Sequence, residues 1–190
     1  MEKVTFSDEG IHFKDYPVTP ASIFPDGIVL WSDVKEADPD CWPPELRLSS
    51  GEILLISAEI REAFAVACIR HKIPFVQRQD VWGNLLEPFL DTEFPEDEQQ
   101  RTIERLQQCG FSKDEIRQIR KRAGKFVAPY NLYVWEWVHL GLLDLFTACG
   151  LTSNKRLRWI NSSWRSKAKK KLYWWAIDIA NRPTNPPGKS

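Results

Sequence analysis

Apolar and polar residues alternate at the start of this chain, with Val4, Phe6, Ile11 and Phe13 flanking Ser7-Asp8-Glu9-Gly10. The pattern predicts two strands joined by a hairpin turn in which Gly10 takes the left-handed conformation. Pro17, Pro20 and Pro25 then punctuate a loop, and Gly27-Ile28-Val29-Leu30-Trp31 reads as a short buried strand. Asp38-Pro39 and Pro43-Pro44 mark a second break. Leu46, Leu48, Ile53 and Leu55 around Ser49-Ser50-Gly51 predict a second hairpin over 45–56.

The period then changes from two residues to between three and four. Ser57 is placed to cap a helix in which Ile60, Phe64, Ala67 and Cys68 recur at helical spacing and which Lys72-Ile73-Pro74 ends. This helix is expected to pack on the sheet. Phe75-Val76 fits a further strand or an extended connector, and Asp80 is placed to cap a short helix carrying Val81, Trp82, Leu85 and Leu86 that Pro88 interrupts. Beyond it, Glu96-Asp97-Glu98 puts acids at a helix N-terminus, where the partial positive charge favours them, and Gly110 closes that helix. Ser112-Lys113-Asp114-Glu115 fits a capping box for a second helix, expected to end at Pro129. A third runs from Asn131 to Gly150 and is apolar nearly all round through Trp135, Val138, Leu142, Leu145 and Phe146. In the last stretch, 154–181, Leu157, Ile160, Trp164, Ala168, Leu172, Trp175 and Ile179 form the expected apolar face.

These elements define an α+β fold: an N-terminal antiparallel sheet of two hairpins with a packed helix, followed by a mainly α-helical C-terminal part. The composition shift at Pro95 divides the chain into an acidic α+β domain, 1–94, and a basic helical domain, 95–181. The Pro- and Gly-containing stretch 182–190 reads as a disordered tail. Charge sharpens this division. The net charge of zero hides 20 Asp and Glu against 8 Lys and Arg in residues 1–100, and 6 against 18 in residues 101–190. Opposed fields of this kind bear on partners and assembly rather than on a reaction. Apolar residues at 43% set the chain apart from disordered sequences, so a packed core is expected. About two thirds of the nine tryptophans are expected inside, the rest being available to interfaces.

Met1-Glu2-Lys3-Val4 lacks the basic stretch and apolar run of a secretory signal, so the mature chain is expected to start where the sequence starts. The apolar stretch 132–149 contains Glu136, His139 and Asp144, each costly at membrane depth, and is read as a buried helix rather than a transmembrane segment. Cys41, Cys68, Cys109 and Cys149 are too widely spaced for a metal knuckle. Reduced thiols and a cytoplasmic location are the expectation.

The segment 155–171 carries the candidate binding residues: Lys155, Arg156, Arg158, Arg165, Lys167, Lys169, Lys170 and Lys171, without an acid and with Trp159 and Trp164 interleaved. Basic groups neutralise phosphates, and aromatic rings stack on unpaired bases or settle among lipid headgroups. The plainer alternative is a solvated helix face, or one that docks on the acidic half of the same or another chain. A second candidate surface, acidic with aromatic anchors, runs from Asp80-Val81-Trp82 to Leu90-Asp91-Thr92-Glu93-Phe94 and suits a basic helix.

Other chemistry finds little support. Glu136-Trp137-Val138-His139 has the Glu-x-x-His spacing of di-iron bundles but occurs once, and neither His12 nor His71 is bracketed by ligands, so no metal is expected. The acids Glu87, Asp91, Glu93, Glu96, Asp97 and Glu98 suit a helix start and a solvated linker better than an acid/base pair. The common nucleophile-elbow and phosphate-cradle motifs are absent, and no catalytic residue or cofactor is assigned. The sequence therefore reads first as a non-enzymatic cytosolic interaction or regulatory module acting through charged, Trp-rich surfaces, with a protein partner or self-association. Binding of nucleic acid or an anionic membrane through 155–171 comes second. An enzyme comes third, and would place His139 or His71 beside a cysteine or carboxylate in a pocket.

Overall fold

The computed structural model describes residues 3–90, 96–131, 140–153 and 163–183. It is an α+β protein, with two three-stranded antiparallel sheets at the N-terminus followed by a mostly helical C-terminal part. The chain divides into two compact units, neither contiguous in sequence: 1–78 with 150–178, and 79–149 with 179–190. The composition boundary at 94 and 95 lies outside the described residues, as do residues 184–190 of the expected tail.

In the first unit, β1 (Lys3–Phe6), β2 (Gly10–Lys14) and β3 (Gly27–Leu30) form one sheet with β2 central. The first hairpin forms as the alternation predicts, but the glycine acts differently. The Ser7 amide donates to the Gly10 carbonyl at 2.9 Å, and the Ser7 hydroxyl accepts from the Gly10 amide at 3.2 Å. Gly10 itself begins β2 and does not have positive φ; a Cβ there would stand 2.2 Å from the Val29 carbonyl oxygen. Close approach of β3, rather than turn conformation, requires this glycine. β3 is an edge strand, and only Val29 is buried while Ile28 and Leu30 are exposed, which corrects the fully buried strand read from its apolar run.

The second sheet contains β4 (Val34–Asp38), β5 (Glu45–Leu48) and β6 (Ile53–Leu55), with β5 central. The hairpin β5–β6 turns at Gly51, whose φ of 87° is the left-handed conformation that favours glycine. β4 carries buried Glu36 and Asp38, and Phe75 adds a parallel bridge to its Ala37. Helix α1 (Arg61–Arg70) follows a 3₁₀ turn capped by Ser57, and its Phe64 is buried and stacks on Phe6 of β1 at 6.3 Å. Residues 151–153 rejoin this unit as a strap: the Thr19 amide donates to the Leu151 carbonyl at 2.8 Å and the Ser153 amide to the Pro17 carbonyl at 2.6 Å.

The second unit is built from helices α2 (Val81–Leu86), α3 (Glu96–Gln108), α4 (Lys113–Asn131) and α5 (Leu142–Ala148). The caps follow the sequence signals. Asp80 accepts from the Gly83 amide at 2.7 Å, Ser112 accepts from the Glu115 amide at 3.2 Å, and Gly110 and Gly150 take positive φ after their helices. Two expectations change. Pro129 sits inside the last turn of α4, removing one backbone donor without ending the helix, and α5 begins only at Leu142, with the Gly141 amide held by the Asp144 carboxylate at 2.8 Å. Gly124 makes room for the Phe89 ring, which would stand 2.6 Å from a Cβ. Arg182 pairs with Glu115 and lies over the Phe111 ring at 4.5 Å.

Candidate functional site

Helix α6 (Ser163–Ala180) carries the described part of the basic segment. Its rotation is set by Tyr173. The Tyr173 hydroxyl donates to the Glu52 carboxylate at 2.8 Å, and the same oxygen accepts from the Ser22 amide at 2.9 Å. Tyr173 is 1% exposed and Glu52 2%, so both polar groups are satisfied inside the protein rather than by solvent. Beside them the Tyr16 hydroxyl accepts from the Leu55 amide at 3.0 Å. Burial pushes the Tyr173 hydroxyl well above the ordinary tyrosine range, with the charge of Glu52, then Tyr16, then the hydrogen bond to Glu52 adding in the same direction. The hydroxyl is therefore a fixed donor.

Tyr173, Ala176, Ile177 and Ala180 share the buried face, at the spacing of successive turns. Of the expected face, Ile179 is buried, but Ala168 is exposed, Leu172 and Trp175 are half-buried, and Leu157 and Ile160 lie outside the described residues. Over most of the helix the buried side is thus turned by about one residue position from the expected one, toward the Tyr173–Glu52 bond. Lys167, Lys170 and Lys171 stand at i, i+3 and i+4 and are exposed, Lys170 bordering the side of Tyr173 and the other two lying away from it. None of them makes an ion pair with a described residue. Lys169 is half-buried on the side of Tyr173. Trp164 and Arg165 lie in the first turn of α6, where only the backbone is described, and Lys155, Arg156, Arg158 and Trp159 lie outside the described residues.

The acidic surface expected around Asp80 does not offer its aromatic anchor. Trp82 is buried with Val81, Leu85 and Leu86, and the Asp80 carboxylate is occupied as the cap of α2. Residues 91–94 of that surface lie outside the described residues. Among the tryptophans with described side chains, Trp31 and Trp82 are buried, Trp174 and Trp175 half-buried, and Trp42 is 67% exposed with the Arg61 guanidinium 5.4 Å above its ring.

A buried ionic cluster was not legible in the sequence. Glu36 accepts from Arg78 at 2.8 Å, Arg47 pairs with Glu45 at 2.6 Å, and Asp38 accepts from the amides of Asp40, Cys41 and Arg78. Its carboxylates are engaged by cations and amides from neighbouring segments, which makes the cluster a brace between β4, β5 and the 75–78 segment rather than an acid/base pair. His71 lies flat on Trp31, with ring centroids 4.2 Å apart, and His12 meets the Ser7 hydroxyl at 2.9 Å in the first hairpin. His139 lies outside the described residues. Burial pushes the thiols of Cys68 and Cys149 up to about 12, and that of Cys41 higher still, with Glu45 and Asp38 adding to the effect. These groups are protonated at neutral pH and are poor nucleophiles. Among the described residues, no cluster of three or more His, Cys, Asp or Glu is arranged to hold a metal ion, and no helix is long and apolar enough to cross a membrane.

Comparison with known proteins yields no match: no family model fits this chain, and no curated protein or solved structure is similar to it.

Proposed function

We propose that this protein is a non-enzymatic interaction or regulatory module of the cytoplasm whose working surface is the lysine face of α6. The observation that carries this reading is the split within one helix. Tyr173 ties one side of α6 to Glu52, while Lys167 and Lys171 project away from it and Lys170 at its border, all three exposed and unpaired with any described residue. A rigidly held array of like charges attracts an anionic partner and steers its approach. Exposed Trp42 under Arg61 supplies a separate aromatic contact, in keeping with an interaction surface. An acidic protein surface is the first partner class. Nucleic acid or an anionic membrane is the second, favoured by the lack of any acid in 155–171.

The test is a titration of the purified chain with a poly-glutamate peptide, short single- and double-stranded oligonucleotides and phosphatidylserine vesicles, at low and near-physiological salt. Replacing Lys167, Lys169, Lys170 and Lys171 by Gln is expected to weaken binding to the probe that is recognised by about tenfold or more, and to flatten its salt dependence. Absence of binding to all of these probes at low salt would remove the lysine face as a working surface.

A further inference from the structure

Helix α1 buries Phe64, Ala67 and Cys68, yet its other side is apolar too: Val66 is 66% exposed and Ile69 65%, with exposed Ala63 on the same side. Exposed apolar side chains gathered on one side of a surface helix, with charges at its ends, mark an interaction surface. The exposed residues of α1 are Glu62, Ala63, Val66, Ile69 and Arg70. Their positions are symmetric about Val66, at four and three residues before it and three and four after it, so all five share one face. The face begins with an acid and ends with a base.

This pattern is its own complement. A twofold axis through Val66, relating two antiparallel helices, sets Glu62 against Arg70 of the partner subunit, Ala63 against Ile69 of the partner subunit, and Val66 against its own copy. Opposite charges meet at both ends, the small side chain faces the large one, and apolar meets apolar at the centre, as an isologous contact requires. A parallel arrangement sets Glu62 against Glu62 and is disfavoured, so the charges also fix the direction. The Arg70 guanidinium approaches Asp8 only at 3.9 Å with both side chains mostly exposed, a screened contact that leaves it able to turn to a partner. We propose that the chain forms a homodimer by antiparallel packing of α1 on its own copy, through Glu62, Ala63, Val66, Ile69 and Arg70. A helix of 10 residues buries on the order of 1,000 Å² or less in such a pair, so the dimer belongs to the weak class that dissociates on dilution.

Sedimentation equilibrium of the full chain between about 1 and about 500 µM, a range suited to weak interfaces, tests this. The wild type is expected to pass from monomer to dimer. Glu62→Arg and Arg70→Glu each put like charges together at both ends of the contact and are expected to weaken the dimer by about tenfold or more. An equimolar mixture of the two single variants restores both attractive pairs and is expected to dimerise, as is the double variant Glu62→Arg/Arg70→Glu. Far-UV circular dichroism of each variant, expected unchanged because both side chains are exposed, separates loss of contact from loss of fold. The proposal is overturned by a wild type that stays monomeric, which would leave this face to a different protein. A mixture no more associated than its components, or a dimer indifferent to both reversals, overturns it equally.

Discussion

Helix α1 and all but the last two residues of α6 belong to the first compact unit, and each buries one side there. The buried sides differ in kind. That of α1 is held by shape, with Phe64 stacked on Phe6 and Cys68 wholly enclosed, whereas that of α6 is keyed by one polar contact, Tyr173 to Glu52. The outer sides differ more. α1 presents apolar residues between an acid and a base, and α6 presents lysines without a compensating acid in 163–173. Side chains that face inward are constrained by the fold, so their chemistry reports on stability. The outward ones, apart from the loose Arg70–Asp8 pair, face solvent, and their chemistry underlies the two proposals: a second copy of the chain for α1, an anion for α6.

The largest effect that separates the two sides is expected in α1. Phe64→Ala empties a fully buried site and should cost about 4 kcal/mol, while Val66→Ala should change stability by no more than about 0.5 kcal/mol at concentrations where the chain is monomeric. Urea unfolding of the two variants gives both numbers, and equal losses would mean that the outer face of α1 is packed in solution. The same contrast in α6 is smaller. Tyr173→Phe leaves the buried Glu52 carboxylate without its hydroxyl donor and should cost about 2 kcal/mol, against about 0.5 kcal/mol or less for Lys170→Gln. If Tyr173→Phe proved neutral, the rotation of α6 would have to be set by its apolar residues alone.

Both hairpins were legible from local signals, the first from its alternation and the second from a turn glycine, Gly51. Three other features depend on residues far apart in the chain. β4 carries buried acids, and its Glu36 is met there by Arg78, 42 residues away, and by Arg47 of β5. The inward face of α6 was misjudged by about one position because hydrophobicity favours Leu172 and Trp175, while the structure buries Tyr173 against a carboxylate 121 residues distant. The strap at 151–153 joins the first unit through backbone hydrogen bonds that carry no compositional trace. Of the candidate site, the lysines were legible as a charge run. A solvated face was among the readings of that run, and Lys167, Lys170 and Lys171 are exposed while Lys169 is half-buried. The outer apolar residues of α1, Val66 and Ile69, were not singled out, because the helical spacing marked only the side of Phe64, Ala67 and Cys68.

The smallest expected effect distinguishes the two buried anchors by pH. Burial on the inner side of α1 raises the Cys68 thiol from 9.0 to about 12. In the unfolded chain the thiol begins to ionise near pH 9, while in the folded chain it keeps its proton. The unfolded state therefore binds fewer protons than the folded state between about pH 9 and about pH 12, and stability falls as pH rises through that window. Below pH 9 the contribution is fully present. Cys149, also raised to about 12 by burial and partly opposed by Arg122, acts in the same direction in the second unit. Tyr173 in α6 is raised as well, but its unfolded value is 10.0, so its share of the loss sets in about one pH unit later. Stability measured from pH 7 to 11 should decline from pH 9 upward, by no more than about 1.4 kcal/mol per pH unit for any one group and by less where residual exposure screens it. Cys68→Ala should reduce the slope from its onset, whereas Tyr173→Phe should leave the onset unchanged and flatten the curve only above about pH 10. A slope that neither substitution alters would place the pH sensitivity outside both helices, and with it the claim that α1 and α6 are anchored by groups the fold keeps protonated.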